Sequence, residues 1–294
     1  MKDLSIVIVS YNTCDLLRDC LNSVYNNTEN IDYEVWVVDN QSKDGSPDMV
    51  EREFPQVKLI RNPINGGFSQ ANNLAIKQCL DYSRYVLILN PDTVVPKETL
   101  EDCVKLLNNN EKVGCLGCKV VLASGKLDKA CKRGFPSPWN SLCYFLKLDK
   151  LSPKSKKFGG YNSTYIDEDE ESEIDCLVGA FMMLRQETIK KIGFLDDTFF
   201  MYGEDIDWCY RVKEGGWINY YYPKVRITHY KGESSKKQST RMIGEFHKSM
   251  FIFYNKHYKA QYNFLVNGLT YLGIYAKWGM SLLVNAFKKE KKVF

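Results

Sequence analysis

The sequence predicts an α/β fold: a mostly parallel sheet with helices on both faces, followed by a C-terminal helical extension. Three observations carry this. Short β-branched runs alternate with helical periodicity over residues 4–89. Turn-forming polar residues gather at the ends of those runs. The charge balance then changes sign: residues 1–230 carry 28 Lys/Arg against 33 Asp/Glu, whereas residues 231–294 carry 12 against 3. The net charge of +4 therefore hides an acidic body and a basic tail. At 44% hydrophobic and 26% charged residues, the chain is excluded from the disordered, collagen-like and many-span membrane classes.

Residues 4–9 (LSIVIV) read as a buried strand ended by Ser10-Tyr11-Asn12. Leu16, Leu17, Cys20, Leu21 and Val24 then repeat at helical spacing. Residues 33–38 (YEVWVV) are a second strand ending at Asp39-Asn40. Ser46 and Pro47 are the natural N-cap and first residue of the next helix. Residues 57–60 form a third strand, Asn65-Gly66-Gly67 a tight loop, residues 71–80 a helix, and residues 85–89 (YVLIL) a fourth strand broken by Pro91. Residues 124–175 are irregular, with Pro136, Pro138, Gly159-Gly160 and six acids within residues 167–173, a run that reads as a solvated loop. Regular pattern resumes at residues 176–184, a buried strand or a turn and strand, and a strand-like run follows at 224–228.

The ten cysteines mostly sit in apolar runs and behave as small hydrophobes. Cys115-x-x-Cys118 has no second pair at zinc-ribbon spacing, so strand packing is the better reading. Met1-Lys2-Asp3 leads straight into the first strand instead of a leader peptide, which predicts a reducing compartment and free thiols.

In an open parallel sheet, ligands bind beyond the carboxyl ends of the strands. Four polar clusters fall on that predicted edge: residues 10–12, 39–40, 62–67 and 90–92. Each alone is explained by turn formation; four on one edge point to a site. Asp39 can accept hydrogen bonds from a base or ribose, or can cap a helix. Gly66 and Gly67 let backbone approach a ligand, and the helix start after them favours an anion. Gly203-Glu204-Asp205-Ile206-Asp207 is an acidic centre, or a helix start stabilised by its dipole. If a helix begins there, Asp207 and Arg211 are four apart and can pair.

Residues 5–12 (SIVIVSYN), 37–46 (VVDNQSKDGS), 65–73 (NGGFSQANN), 89–93 (LNPDT) and 199–207 (FFMYGEDID) with Arg211, taken in order, resemble the family 2 glycosyltransferases, and most closely their rhamnosyltransferase-like branch. The likeness runs from residue 4 to about 235. It implies a GT-A (Rossmann-like) catalytic domain over residues 1–235, a nucleotide-diphosphate sugar donor such as dTDP-rhamnose or a UDP-hexose, Mg2+ or Mn2+, and inversion at the anomeric carbon. It further implies that Tyr11, Asn12, Asp39, Asn65, Gly66, Gly67, Asn72 and Asp92 hold the nucleotide. Asn90-Pro91-Asp92 stands where the family has Asp-x-Asp; Asn90 replaces the first acid, so Asp92 is the retained metal ligand, with His229 completing the site. Asp205 is implied as the base, supported by Glu204 and Arg211. Lys231-Gly232, Lys236, Lys237 and Arg241 are candidate phosphate contacts. The implied acceptor is a growing, lipid-linked cell-surface glycan at the inner face of the cell membrane.

Residues 236–294 read as a basic, aromatic helical extension. The apolar stretch 262–287 is long enough to span a bilayer, yet it holds Lys277 and is followed by Lys288, Lys289, Lys291 and Lys292. It suits either an in-plane helix on an anionic membrane surface or a helix packed on the catalytic domain or in a homodimer. A nucleic-acid partner is excluded, because the aromatics are spaced as one helix face. Two other readings remain: a nucleotidyltransferase, which would need a basic Gly-rich loop that residues 10–14 lack, and a non-catalytic scaffold, which would not be expected to keep Asp92, Glu204 and Asp205.

Overall fold

The structure is a computed structural model that describes residues 1–230 and 239–287. Its elements run β1 (Lys2–Ser10), α1 (Cys14–Asn27), β2 (Tyr33–Asp39), α2 (Ser46–Glu53), β3 (Lys58–Arg61), α3 (Gly67–Cys79), β4 (Ser83–Leu89), β5 (Thr93–Val94), α4 (Thr99–Asn109), β6 (Val113–Leu122), α5 (Pro138–Phe145), α6 (Leu148–Leu151), β7 (Ser172–Ile174), β8 (Phe181–Arg185), α7 (Gln186–Ile192), α8 (Glu204–Glu214), β9 (Ile218–His229), α9 (Ser239–His257) and α10 (Phe264–Phe287).

The strands form one sheet in the order β3-β2-β1-β4-β8-β6-β9-β5, with β7 paired to β9. The half β3-β2-β1-β4 is parallel, as βαβ connections require. Beyond it the sheet is mixed, since β8 runs antiparallel to both β4 and β6 and β9 is parallel only to β6. The sequence expectation of a mostly parallel sheet thus holds for the first half only. The reason is that β8 follows the long irregular segment 124–175, not a single crossover helix, and so enters from the opposite end.

Burial explains the strand sequences. Leu4, Ile6, Val7 and Ile8 of β1 and Val86, Leu87 and Ile88 of β4 are buried on both faces, which is why these runs do not alternate. Two boundaries differ from the sequence reading. The residue that caps α2 is Gly45, at φ 82°, and Ser46 is the first helical residue. Helix α3 begins at Gly67, four residues before the expected Ala71. All ten cysteines are free, and Cys115 and Cys118 are buried in β6. Burial pushes the Cys20 thiol up to about 12 and the Cys79 thiol to about 11, which disfavours their thiolates.

The C-terminal helices α9 and α10 pack on each other. Phe253, Tyr254 and Tyr258 form a second small core with Phe199, just ahead of α8.

Candidate functional site

Parallel register sets Ser10 of β1 beside Asp39 of β2, and Ile8 beside Leu89 of β4. The three strand ends therefore share one edge. At the β2 end, Asp39 is 4% exposed. Its Oδ1 accepts the Ser42 N–H at 3.0 Å, while its Oδ2 is buried without a hydrogen-bond partner. The carboxylate closes a turn and caps no helix; α2 uses Gly45. A buried acceptor lacking a partner costs about 1–3 kcal/mol, so it marks a place for a ligand donor. Asn12 sits beside it at φ 54° and ties the same turn, accepting Lys43 N–H at 2.8 Å and donating its own N–H to Ser42 Oγ at 2.9 Å. Tyr11 is half-buried at this strand end.

The glycine loop is fastened to the β2 end through amides. Asn40 Nδ2 donates to Asn65 Oδ1 at 2.9 Å, Asn62 Nδ2 to Asn40 Oδ1 at 2.9 Å, and Gly67 N–H to Asn65 Oδ1 at 3.1 Å. Gly67 has φ +88°, and a Cβ there would lie 2.2 Å from the Phe200 carbonyl oxygen. Only glycine fits. That carbonyl accepts the Phe68 N–H at 2.8 Å, so the segment before α8 rests directly on the glycine loop. Asn72 is fully buried within α3. It donates to Phe68 O at 2.9 Å, and its Oδ1 lacks a partner.

At the β4 end, β5 pairs with the end of β9 and brings Thr93 opposite His229. Asp92 Oδ1 lies 3.1 Å from His229 Nε2, and Asn90 Nδ2 lies 3.3 Å from the same nitrogen. On the other side of the ring, Asp128 Oδ2 is 3.7 Å from Nδ1. Burial would lower the His229 pKa, but the carboxylates of Asp128 and Asp92 outweigh it and raise it to about 9. Asp128 attracts the ring by charge from behind but is beyond hydrogen-bond reach, and Nδ1 is buried without a hydrogen-bond partner, while Nε2 is aimed at the Asp92 carboxylate. Asp92 and His229 thus fit as one oxygen and one nitrogen ligand. Among the described residues no group of three or more His, Cys, Asp or Glu side chains forms a metal cage.

The acidic centre opens α8, with Gly203 at φ 85° as its cap. Glu204 and Asp205 are 7% and 9% exposed. Asp205 Oδ2 accepts from Arg133 at 2.9 Å and from Gly179 N–H at 3.3 Å, and its Oδ1 from Ile206 N–H at 2.8 Å. Glu204 Oε2 is buried without a partner. Burial and the neighbouring Asp205 charge push the Glu204 pKa to about 8. Asp207 pairs with Arg211 at 2.8 Å, as helical spacing predicts, and also with Lys256 and His257 of α9 at 2.8 Å each.

Arg211 does not orient Glu204 and Asp205 as expected. One turn along α8 its guanidinium faces Asp207 and the carbonyls of Ile192 and Phe194, at 2.7 and 2.9 Å, where it closes the end of α7. The cation on the acid pair is Arg133. Sequence reading missed both Arg133 and Asp128, which lie in the irregular segment. They reach the edge through bridges that no spacing reveals: Val121 to Leu127, and Arg133 to Cys176. The one local signal was a turn: Asp128 Oδ1 accepts Ala130 N–H at 3.1 Å. Gly179 links the groups: its N–H reaches Asp205 Oδ2, and a Cβ built on it would lie 3.5 Å from the Phe68 ring at the start of α3 and 3.7 Å from Asp205 Cβ; next to it, Ala180 O accepts Asn90 N–H at 3.1 Å. Arg241 stacks on Phe200, 4.6 Å from the ring centroid. Lys231, Gly232, Lys236 and Lys237 lie outside the described residues.

Comparison with known proteins matches residues 5–193 to the model of glycosyl transferase family 2. The N-acetylglucosaminyl-diphospho-decaprenol L-rhamnosyltransferase of Mycobacterium tuberculosis is 25% identical over 85% of this chain and 83% of its own. Rhamnosyltransferase WbbL of Escherichia coli is 24% identical over 84% of this chain and 90% of its own. The mannosyltransferase PcManGT of Pyrobaculum calidifontis, solved with GDP-Man and Mn2+, superposes with a TM-score of 0.59 at 17% identity. The match covers 97% of this chain and 75% of that one, a likeness of fold.

Proposed function

Because this chain belongs to glycosyl transferase family 2, we propose that it is a metal-dependent, inverting glycosyltransferase that moves a sugar, rhamnose first among the candidates, from a nucleotide-diphosphate donor to a hydroxyl of a lipid-linked glycan. One observation carries the reading: the orphaned Asp39 oxygen, the Asp92–His229 pair and the buried Glu204–Asp205 pair share one sheet edge. The named acceptor of the mycobacterial relative, a diphospho-decaprenol, supports the acceptor class. Residues 1–235 are the catalytic body and 236–294 an extension.

In this reading Asp39, with Tyr11 and Asn12 beside it, holds the nucleoside. The Asn65-Gly66-Gly67 turn and the start of α3 face the diphosphate. Asp92 and His229 would hold Mg2+ or Mn2+, and a bound cation neutralises charge on the leaving diphosphate. Asp205 takes the proton from the acceptor hydroxyl as its oxygen bonds to the anomeric carbon and the bond to the diphosphate breaks on the opposite face. Arg133 fixes one Asp205 oxygen; among the described residues Oδ1 receives its neighbour's N–H alone. A second assignment within the same pair is favoured by the partnerless Glu204 Oε2 and its pKa raised to about 8. There Glu204 is the base and Asp205 its electrostatic neighbour.

The test combines donor binding and turnover. Titration of UDP and dTDP with manganese should lose its metal dependence in Asp92→Ala; an unchanged titration removes Asp92 as ligand. Asp205→Asn should keep nucleotide binding and lose transfer. Near-normal turnover there, with turnover lost in Glu204→Gln, moves the base to Glu204.

A further inference from the structure

Helix α10 is built inside out. Its 24 residues extend about 36 Å at the helical rise. The side that meets α9 carries the helix's polar groups. Asn267 accepts the Tyr254 hydroxyl, Asn285 donates to Thr240 at 3.3 Å, and Lys277 folds back over the Phe246 ring at 5.2 Å. Trp278 stacks on His247 on the same side. The opposite side is apolar and faces outward. Leu265, Leu269, Leu272, Leu283 and Phe287 recur at helical spacing and are 61–86% exposed. Lys277 is the one charged residue of α10, and it lies on the packed side. A surface helix normally has the reverse pattern, and a continuous exposed apolar face of this length marks an interaction surface.

We infer that this face lies in the plane of a membrane, inserted among anionic lipid headgroups. Charge selects that occupant. Residues 231–294 carry 12 Lys/Arg against 3 Asp/Glu, and Lys288, Lys289, Lys291 and Lys292 follow α10 directly in sequence. Anionic headgroups attract such a flank, and the apolar side gains by leaving water. The corresponding segment of a second copy offers little opposite charge, with only three Asp/Glu in residues 231–294. Crossing the bilayer is excluded for the described residues, where no helix is long and apolar enough; only one side of α10 is free, since the other is packed on α9. Docking rests on α10 and the basic residues that follow it, and holds whatever sugar the site transfers. It also reaches the site, because α9 joins Lys256 and His257 to Asp207 of α8.

The experiment is co-sedimentation of the full chain with vesicles of phosphatidylglycerol and phosphatidylcholine in equal parts, and with phosphatidylcholine alone, at low and high salt. Binding is expected to the anionic vesicles and to weaken with salt. Leu272→Asp and Leu283→Asp, both at exposed positions, should each weaken it about tenfold or more while the far-ultraviolet melting curve stays unchanged. A folded chain that binds neither vesicle overturns the inference. So does undiminished binding by the Leu272→Asp/Leu283→Asp chain. A wild-type dimer in analytical ultracentrifugation that this double variant splits, with no vesicle binding, assigns the face to a second copy and overturns it equally.

Discussion

Replacing Arg133 by Met keeps an unbranched stem and removes the guanidinium that holds Asp205. In the native chain that group donates to Ala130 O at 2.9 Å, Leu177 O at 3.0 Å and Asp205 Oδ2 at 2.9 Å. The two side chains are 13% and 12% exposed. Removing one partner of a buried pair costs about 3–5 kcal/mol, and residual water access at this edge places the cost near the lower bound, about 3 kcal/mol. Removing Asp205 as well, with Asn, takes away the stranded charge. The double variant should then be less destabilised than the two single losses added together, by about 2 kcal/mol of coupling. Urea unfolding of the four proteins measures this cycle. Turnover supplies the functional arm: Arg133→Met should lower kcat at least about tenfold, with little change in KM for the donor. Arg133→Lys should recover part of it, because an ammonium keeps the charge but cannot reach three acceptors. A coupling below about 0.5 kcal/mol, or wild-type turnover in Arg133→Met, would refute the claim that this arginine positions the acid.

Two further outcomes follow from the same edge. Glu204 has its pKa raised in the folded chain, to about 8, by burial and by Asp205; the folded state therefore favours its protonated form, and stability from this group is full below the ordinary carboxyl range and lost as pH rises toward 8. Glu204→Gln should melt at a temperature closer to wild type at pH 5 and increasingly above it by pH 8 (about those values), and a difference independent of pH would contradict the burial argument. In Gly67→Ala, left-handed backbone costs about 1–2 kcal/mol, and displacing Phe200 O from the Phe68 N–H costs about 1 kcal/mol more. The chain should thus lose about 2–3 kcal/mol in urea unfolding and bind UDP more weakly; a loss under about 0.5 kcal/mol would mean that the loop does not need glycine.

The strand ends were legible in the sequence because a buried parallel strand must be apolar and must stop at a turn. Ser10, Asp39 and Asn90 announce those stops, and parallel register sets the strands that carry them side by side. The pairing of Asp207 with Arg211 was legible too, since it depends only on helical spacing. Extending that logic to make Arg211 the partner of Glu204 and Asp205 failed, because residues seven and six apart do not share the contact that a four-residue step gives. The arginine found the carbonyls of Ile192, the last residue of α7, and of Phe194 just beyond it.

By itself, then, the sequence determined the alternating framework, the edge on which its polar residues fall, and the opposition of an acidic body to a basic tail. These follow from periodicity, turn chemistry and counting, which act over a few residues at a time. Only the tertiary structure decided which cation meets Asp205, that Asp128 stands behind His229, and which side of α10 faces outward. Each of those contacts joins segments whose separation along the chain carries no period. The physical reason is the same for all three: local rules say where a side chain can point, but packing decides what it meets. The lysine that interrupts the apolar stretch in the sequence is the clearest case. Folded over Phe246, Lys277 leaves the outward face without a charge.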